Sequence, residues 1–283
     1  MPSRPACFAS RSVWRVGRTR RSELTQGVDD CMKNYCCASL AVVLLWAIGQ
    51  QSAAAQQYPD PNRFEADIAR FERQDQQQRP PTGAIVLTGS SSIARWNSQA
   101  AAALAPLTVI PRGFGGSVMH DLLHYLDRVV LTYKPRAVLI YEGDNDTGAK
   151  PPIPNEAILA DLKQIISRIH QRLPQTRIYV LSIKPSVLRR ASWPIAQEVN
   201  AGYREIAAAD PLVYYVDVAT PLLNRDGNVM TDIFIGDNLH LNDLGNSIWG
   251  ATIKAALMPM EARAEAAERT PAATAAPAPA GAR

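Results

Sequence analysis

Cysteine is scarce in this chain and is confined to one end. The four cysteines of the 283-residue sequence are Cys7, Cys31, Cys36 and Cys37. The sequence after residue 37 therefore excludes a cysteine nucleophile, a thiolate metal site and disulfide bonds. This distribution fits a protein that is exported to an oxidising compartment and is stable there without disulfide bonds.

A net charge of one sign is also lacking over most of the chain. The formal net charge is +4, and residues 1–55 contain seven basic and three acidic residues, which account for all of it. The remainder, from residue 56 onward, is formally neutral. A basic face for nucleic-acid binding therefore has no support in the composition.

A hydrophobic run long enough to cross a bilayer is missing as well, since a spanning helix needs about 20 apolar residues. The apolar run 36–49 is shorter, follows the basic Lys33, and precedes the small residues Ala53, Ala54 and Ala55. This pattern predicts a cleavable signal peptide over 32–55 and export to the periplasm or the exterior. Residues 1–31 are either an artefact of the start site, with Met32 as the true start, or a long n-region. An uncleaved anchor helix is the alternative to cleavage.

The remaining sequence predicts one domain, 56–260. Short apolar strands are expected near residues 84–88, 107–110, 137–141, 178–182 and 213–216, with amphipathic helices between them. Strands that alternate with helices imply an α/β fold whose five-stranded parallel sheet is covered on both faces. The last helix is expected to end near Met258, and residues 261–283 are expected to form a disordered Ala/Pro-rich tail.

Chemistry-bearing residues follow several of these strands. Ser91 comes after the first strand, Gly116 after the second and Asn145 after the third, whereas Asp237 and His240 precede the last helix. Ligands of open α/β sheets bind at the carboxyl ends of the strands, so these residues are expected to meet there. A serine nucleophile needs a base and an orienting acid, and the developing oxyanion needs donors.

This ordered set resembles the SGNH hydrolases, also called the GDSL esterase/lipase family. The usual Gly-Asp-Ser of the first block reads Gly89-Ser90-Ser91 here, so Ser90 replaces the aspartate, and the last block, Asp-x-x-His, is intact. The resemblance covers about residues 83–258. It implies a flavodoxin-like three-layer α/β/α sandwich, catalysis by Ser91, Asp237 and His240, and an oxyanion hole of Ser91, Gly116 and Asn145. It also implies ester hydrolysis without a cofactor.

Alternative interpretations accompany several of these residues. Ser90 and Ser92 compete with Ser91 for the role of nucleophile. His120 and His124 share the spacing of a zinc-binding helix, but a metal is not expected because no third ligand is evident. The acidic residues Glu142, Asp144 and Asp146 could suggest calcium, and a solvated loop that helps to orient Asn145 is the favoured interpretation. Arg112, Trp96 and Trp193 are candidate substrate contacts, with Trp96 expected in the core instead.

The sequence thus predicts an exported serine esterase that acts on small acyl esters through an acyl-enzyme. The resemblance implies acetylated sugars and short-chain or lysophospholipid-type esters as substrates, and the lack of a long apolar lid segment favours small or sugar-linked acyl groups. The alternative is a non-catalytic cell-envelope protein that binds carbohydrate or lipid on the same fold. The expected partner is a small-molecule ester, with no nucleic acid, no stable membrane span in the mature form, no metal and no cofactor, and the oligomeric state is left open.

Overall fold

The computed structural model describes residues 58–269. The predicted extension 1–31, the predicted signal peptide 32–55 and the end of the predicted tail, 270–283, lie outside the described residues. Within residues 58–269, none of the helices combines the length and the apolar character that a membrane crossing requires.

A five-stranded parallel sheet forms the middle layer, with the strand order β2-β1-β3-β4-β5. The strands are β1 (Ile85–Gly89), β2 (Val109–Gly113), β3 (Ala137–Tyr141), β4 (Arg177–Leu181) and β5 (Val213–Val216). This is the strand order of flavodoxin-like folds. The predicted α/β/α sandwich is therefore confirmed.

Helices cover both faces of the sheet. They are α1 (Glu65–Gln77), α2 (Ser91–Trp96), α3 (Ala100–Leu104), α4 (Met119–Val129), α5 (Asp144–Gly148), α6 (Asn155–Arg172), α7 (Trp193–Ala208) and α8 (Asp243–Arg269). Successive strand residues point to opposite faces, so Val86 packs into one apolar cluster with α1, α4, α6 and α7. Its neighbours Ile85 and Leu87 pack into the other cluster, with α2, α3 and α8.

The last helix, α8, is longer than the sequence predicted. Residues 261–269 are helical, so their assignment to a disordered tail is wrong. Large apolar residues are few there, but Ala, Glu and Arg favour helix, and two glutamates are buried against the sheet. Glu261 accepts hydrogen bonds from Arg177 and from the hydroxyl of Tyr179. These polar contacts, which a count of apolar residues does not register, anchor the extension.

A second glutamate continues this network at the amino-terminal ends of the strands. Glu265 accepts hydrogen bonds from the Thr108 hydroxyl at 2.6 Å and from Arg136 at 2.5 Å. Arg136 also donates to Glu261 at 3.1 Å. Because Thr108 precedes β2, Arg136 precedes β3 and Arg177 begins β4, one helix ties together three strands.

The opposite, carboxyl-terminal edge brings three loops close together. Gly89 at the end of β1 is level with Gly113 on β2 and with Tyr141 on β3. The chain runs from β1 outward to β2 and then returns to β3 on the other side, so the strand order reverses between β1 and β3. Such a reversal opens a crevice at which α/β proteins bind ligands.

Candidate active site

A sharp turn from β1 into α2 positions Ser91. Gly89 has φ of +132°, and a Cβ atom there would lie 2.1 Å from the carbonyl oxygen of Tyr141. Only glycine is compatible with both constraints. Ser90 then adopts an extended conformation and Ser91 begins the helix, which presents its side chain at the edge of the sheet.

Ser91, His240 and Asp237 form a continuous chain of hydrogen bonds. The Oγ of Ser91 lies 2.8 Å from Nε2 of His240. The other ring nitrogen, Nδ1, lies 2.6 Å from Oδ2 of Asp237. A hydroxyl, an imidazole and a carboxylate in this order can move a proton away from the hydroxyl while the carboxylate orients the ring. Ser91 and His240 are far apart in the sequence, so the fold is what joins them.

A compact turn holds Asp237 and His240 together. The Oδ1 of Asp237 accepts the backbone N–H groups of Leu239 and His240, each at 2.9 Å. The intervening Asn238 has φ of +58°, a left-handed conformation that asparagine tolerates well. Burial opposes ionisation of Asp237, but the hydrogen bonds from His240 and Leu239 outweigh it and hold the pKa of this carboxyl below its usual range. Asp237 is therefore a stable anion beside the imidazole.

Gly116 lies on the loop between β2 and α4 and faces open space. Its φ is +92°, and a Cβ atom there would meet no other atom within 4 Å. The preceding Gly115 approaches Ser91, since a Cβ atom on it would lie 3.8 Å from the Ser91 Cβ. The glycine-rich loop is thus a close neighbour of the Ser91 side chain, as a backbone donor to an oxyanion must be.

Asn145, in the first turn of α5, has a fixed side-chain amide. Its Nδ2 donates to Oγ of Ser90 at 2.6 Å and to the carbonyl oxygen of Ser117 at 2.8 Å. Both amide hydrogens are engaged, so donation to an oxyanion requires that one of them change its acceptor. The hydroxyl of Ser90 is the exchangeable partner, because it can rotate and donate elsewhere, whereas the Ser117 carbonyl is fixed by the backbone.

Three buried carboxyls hold the loop that follows Gly116. Ser117 Oγ donates to Glu142 at 2.5 Å, the Val118 N–H to Asp121 at 2.9 Å, and the Met119 N–H to Asp146 at 3.0 Å. In each carboxyl the second oxygen is buried and has no hydrogen-bond partner among the described residues.

The same burial makes ionisation of these carboxyls unfavourable. It raises the pKa of Asp146 to about 7. It also raises the pKa of Glu142 well above its usual value, with a further contribution from the neighbouring charge of Asp146. The proposed solvated acidic loop is therefore wrong, because Glu142, Asp144 and Asp146 are all buried.

The rival residues from the sequence occupy other positions. Ser90 is buried and accepts a hydrogen bond from Asn145, and the buried Ser92 Oγ has no hydrogen-bond partner within residues 58–269. Of the three serines, Ser91 is the one bonded to His240. Arg112 is buried against Tyr133 and Asp75, which makes it a structural residue instead of a substrate contact.

The aromatic and histidine candidates also have structural neighbours. Trp96 packs in the core, and Trp193 is half-buried against the opposite apolar cluster. The His120 ring stacks on Tyr58, and its Nδ1 lies 3.2 Å from Oδ2 of Asp161. The His124 ring packs edge-on against Tyr125. Within residues 58–269 no cluster of three or more His, Cys, Asp or Glu residues is arranged to hold a metal ion.

Two basic residues that the sequence analysis did not single out lie beside the site. Lys184 follows β4 and donates to the carbonyl oxygen of Leu239 at 2.8 Å. Arg189 donates to Oδ1 of Asn145 at 2.6 Å and to Oδ1 of Asp144 at 2.5 Å. Their place after a strand at the ligand-binding edge was the available signal, but their partners depend on the path of a loop.

The fold and the Ser-His-Asp arrangement define the class of the protein as an ester hydrolase built on an α/β sandwich. A family model described as the GDSL-like Lipase/Acylhydrolase family matches residues 76–248. The match covers more than half of the sequence, and the chain belongs to this family. The resemblance that the motifs indicated is thereby confirmed.

Individual relatives are more distant. The human platelet-activating factor acetylhydrolase IB subunit alpha1 is 27% identical over 148 residues, which are 50% of this chain and 60% of the relative. A GDSL-like lipase from Bacteroides thetaiotaomicron has a TM-score of 0.60 at 18% identity, covering 69% of this chain and 98% of its own. An acetylxylan esterase from Geobacillus stearothermophilus has a TM-score of 0.50 at 14% identity, covering 62% and 94%. At these identities the solved structures show a shared fold.

Proposed function

We propose that the protein hydrolyses small acyl esters through a covalent acyl-enzyme, with Ser91 as nucleophile, His240 as general base and Asp237 as the residue that orients the imidazole. The observation that carries the proposal is the 2.8 Å contact between Ser91 Oγ and His240 Nε2, continued to Asp237. A binding protein without turnover would have no use for this hydrogen-bond chain.

The reaction proceeds in two halves. Ser91 Oγ attacks the ester carbonyl carbon as His240 takes its proton, and the resulting oxyanion accepts hydrogen bonds from the N–H groups of Ser91 and Gly116 and from Asn145. His240 then gives the proton to the leaving alcohol, and the acyl group stays on Ser91. Water, deprotonated by His240, attacks the acyl-enzyme and releases the carboxylic acid.

The surroundings of His240 contain no deep channel for an acyl chain among the described residues. A cavity next to His240, lined also by Ser92, Leu241 and Trp249, has a volume of about 10 Å³, which is room for about one water molecule. A long acyl chain would have to lie on the surface instead. The names of two similar proteins, a platelet-activating factor acetylhydrolase and an acetylxylan esterase, both refer to acetyl esters. We therefore propose acetylated sugars or other short-chain acyl esters as substrates, in preference to lysophospholipid-type esters, whose acyl chain is long.

Hydrolysis of p-nitrophenyl acetate tests the chemistry. The parent should release p-nitrophenol and should be labelled by a fluorophosphonate, and Ser91→Ala should lose both properties, with kcat reduced by about 10⁴-fold or more. The matched control is Ser98→Ala, an exposed serine just beyond the end of α2, which should retain activity. A parent that neither turns over nor becomes labelled would support the non-catalytic binding protein instead.

Chain-length preference is tested separately with p-nitrophenyl esters of increasing length. The value of kcat/KM should be highest for the acetate or butyrate and should fall for decanoate and palmitate. A maximum at the long chains would contradict the small-acyl proposal while leaving the ester chemistry intact.

Export is proposed from the sequence of residues 32–55. Expression of the full chain in a bacterial host and amino-terminal sequencing of the product should give a start near Gln56. A mature protein that begins at Met1 or Met32 would reject cleavage.

A further inference from the structure

One segment after β4 contacts both halves of the proposed site. The Lys184 ammonium donates to the carbonyl oxygen of Leu239, within the turn that carries Asp237 and His240. The Leu188 N–H donates to the carbonyl oxygen of Asn238 in the same turn at 3.0 Å. The segment 184–189 then reaches the other half through Arg189, which binds Asn145.

The contact with Arg189 determines which way the Asn145 amide points. Arg189 has only donors, and its Nη2 lies 2.6 Å from Oδ1 of Asn145. Rotation of the amide by half a turn would put its NH₂ group against the guanidinium and its oxygen against the Ser117 carbonyl. Both contacts would be repulsive, so Arg189 and Ser117 together keep Nδ2 directed toward Ser90 and the nucleophile loop.

A cation beside the oxygen of the Asn145 amide also strengthens the N–H groups of that amide as hydrogen-bond donors. An amide whose oxygen accepts from a cation shifts electron density toward that oxygen, which leaves its N–H groups more positive and makes them stronger donors. Arg189 is half-buried and is held by Asp144, a buried carboxylate that also contacts Lys184 at 3.4 Å. Burial opposes ionisation of Asp144, but Lys184 and Arg189 outweigh it and lower the pKa of this carboxyl, so its charge is maintained.

We propose that Arg189 is a positioning residue for ester hydrolysis, which orients and polarises the Asn145 amide so that Nδ2 donates strongly to the oxyanion of the tetrahedral intermediate. This inference rests on the proposed function. Arg189 acts through Asn145 and does not contact the substrate. Its effect belongs to the transition state, since the negative charge that Asn145 stabilises is absent from the bound ester.

The test is a double-mutant cycle measured by kcat and KM on p-nitrophenyl acetate. Arg189→Ala should lower kcat by about 10- to 100-fold, less than the loss of a whole oxyanion donor, which typically costs about 10²–10³. KM should change by less than about twofold. In the Asn145→Ala background the same Arg189→Ala change should lower kcat by less than about twofold, because the group through which it acts is gone.

Two further variants separate this effect from general damage. Arg190→Ala removes the neighbouring, exposed arginine and should leave kcat unchanged. Arg189→Lys keeps a cation near the amide oxygen and should retain more of kcat than Arg189→Ala. If Arg189→Ala fails to fold, the double-mutant cycle with Asn145→Ala is measured with Arg189→Lys instead.

The outcomes distinguish this inference from the proposed function. An active parent whose kcat is unaffected by Arg189→Ala overturns the inference alone. An equal loss of kcat in the parent and in the Asn145→Ala background also overturns it, since the loss would then be structural. A parent without turnover or fluorophosphonate labelling overturns the proposed function, and this inference with it.

Discussion

The two edges of the sheet carry buried charge in opposite ways. At the amino-terminal edge, the carboxylate oxygens of Glu261 and Glu265 lie 2.5 to 3.1 Å from the guanidinium nitrogens of Arg136 and Arg177. Within residues 58–269, the buried side-chain nitrogen and oxygen atoms of these four residues all have hydrogen-bond partners. At the carboxyl-terminal edge, Asp121, Glu142 and Asp146 each keep one buried oxygen that has no hydrogen-bond partner in the described part of the chain.

The pKa values follow this difference. Burial opposes ionisation of Glu265, but hydrogen bonds from Thr108 and from Arg136 outweigh it and hold the pKa of this carboxyl at about 2. At the other edge Lys184 and Arg189 lower the pKa of Asp144, but burial prevails at Asp146 and raises its pKa to about 7. The comparison teaches that one edge uses charge to join strands, while the other tolerates unfavourable carboxyls behind the loop next to Ser91. Such local cost is common where side chains must be placed for chemistry.

The largest effect is expected from His240→Ala, a change at the carboxyl-terminal edge that should affect activity far more than stability. Loss of the imidazole should lower kcat on p-nitrophenyl acetate by about 10⁴-fold, because Ser91 loses its base. The free energy of unfolding, measured with urea, should fall by only about 1–2 kcal/mol, because the ring, whose side chain is 14% exposed, loses one hydrogen bond to Asp237 and one to Ser91. A variant that keeps the parent kcat would remove His240 from the mechanism.

Glu261→Gln should have the converse effect. Removing one partner of a buried ion pair typically costs about 3–5 kcal/mol, and Arg136 and Arg177 would lose their shared carboxylate. The urea midpoint should fall, while kcat of the folded variant stays within about twofold of the parent. Glu205→Gln, on the exposed side of α7, is the matched control and should leave the midpoint unchanged. A normal midpoint for Glu261→Gln would mean that the network does not hold the strands.

The smallest predicted effect concerns Asp146 and pH. Its pKa is raised from 3.8 in the unfolded reference to about 7 in the folded protein, so the folded state binds this proton more tightly. The contribution of Asp146 to stability is therefore fully present below about pH 4 and is lost as the pH rises to about 7. Asp146→Asn removes this titration and preserves the acceptor for the Met119 N–H.

The free energy of unfolding of Asp146→Asn, taken relative to that of the parent, should therefore increase as the pH is raised from about 5 to about 8. At about 1.4 kcal/mol per pH unit, the relative gain is about 2–3 kcal/mol. Urea titrations at both pH values measure it, with the exposed Asp226→Asn as the control. A constant difference between variant and parent across this range would show that Asp146 does not titrate there.

Much of this architecture could be predicted from local sequence patterns. The pattern of the apolar residues indicated all five strands. The predicted residues Ser91, Gly116, Asn145, Asp237 and His240 lie at one edge of the sheet because the carboxyl ends of parallel strands share that edge. Their catalytic roles stay predictions.

The errors have a common physical origin. The helical extension 261–269 depends on contacts of Glu261 and Glu265 with Arg136, just before β3, and with Arg177, at the start of β4. The contact of Arg189 with Asn145 depends on the path of a loop. Burial of Glu142 and Asp146 likewise follows from the packing of α4 on the sheet. In each case the decisive contact joins residues far apart in the sequence, and local composition does not encode such contacts.

The turn that contains Asp237 and His240 is assembled from its own backbone. Besides the two N–H groups that Asp237 accepts, the Ile235 N–H donates to the His240 carbonyl and the Asn238 N–H donates to that of Ile235, each at 2.9 Å. The proposed acid and base are therefore one preassembled unit, and a displacement of this unit would change its distance to Ser91 while leaving the contact between Asp237 and His240 intact. In the proposed mechanism, the reactivity of Ser91 thus depends on where one short turn sits as a whole.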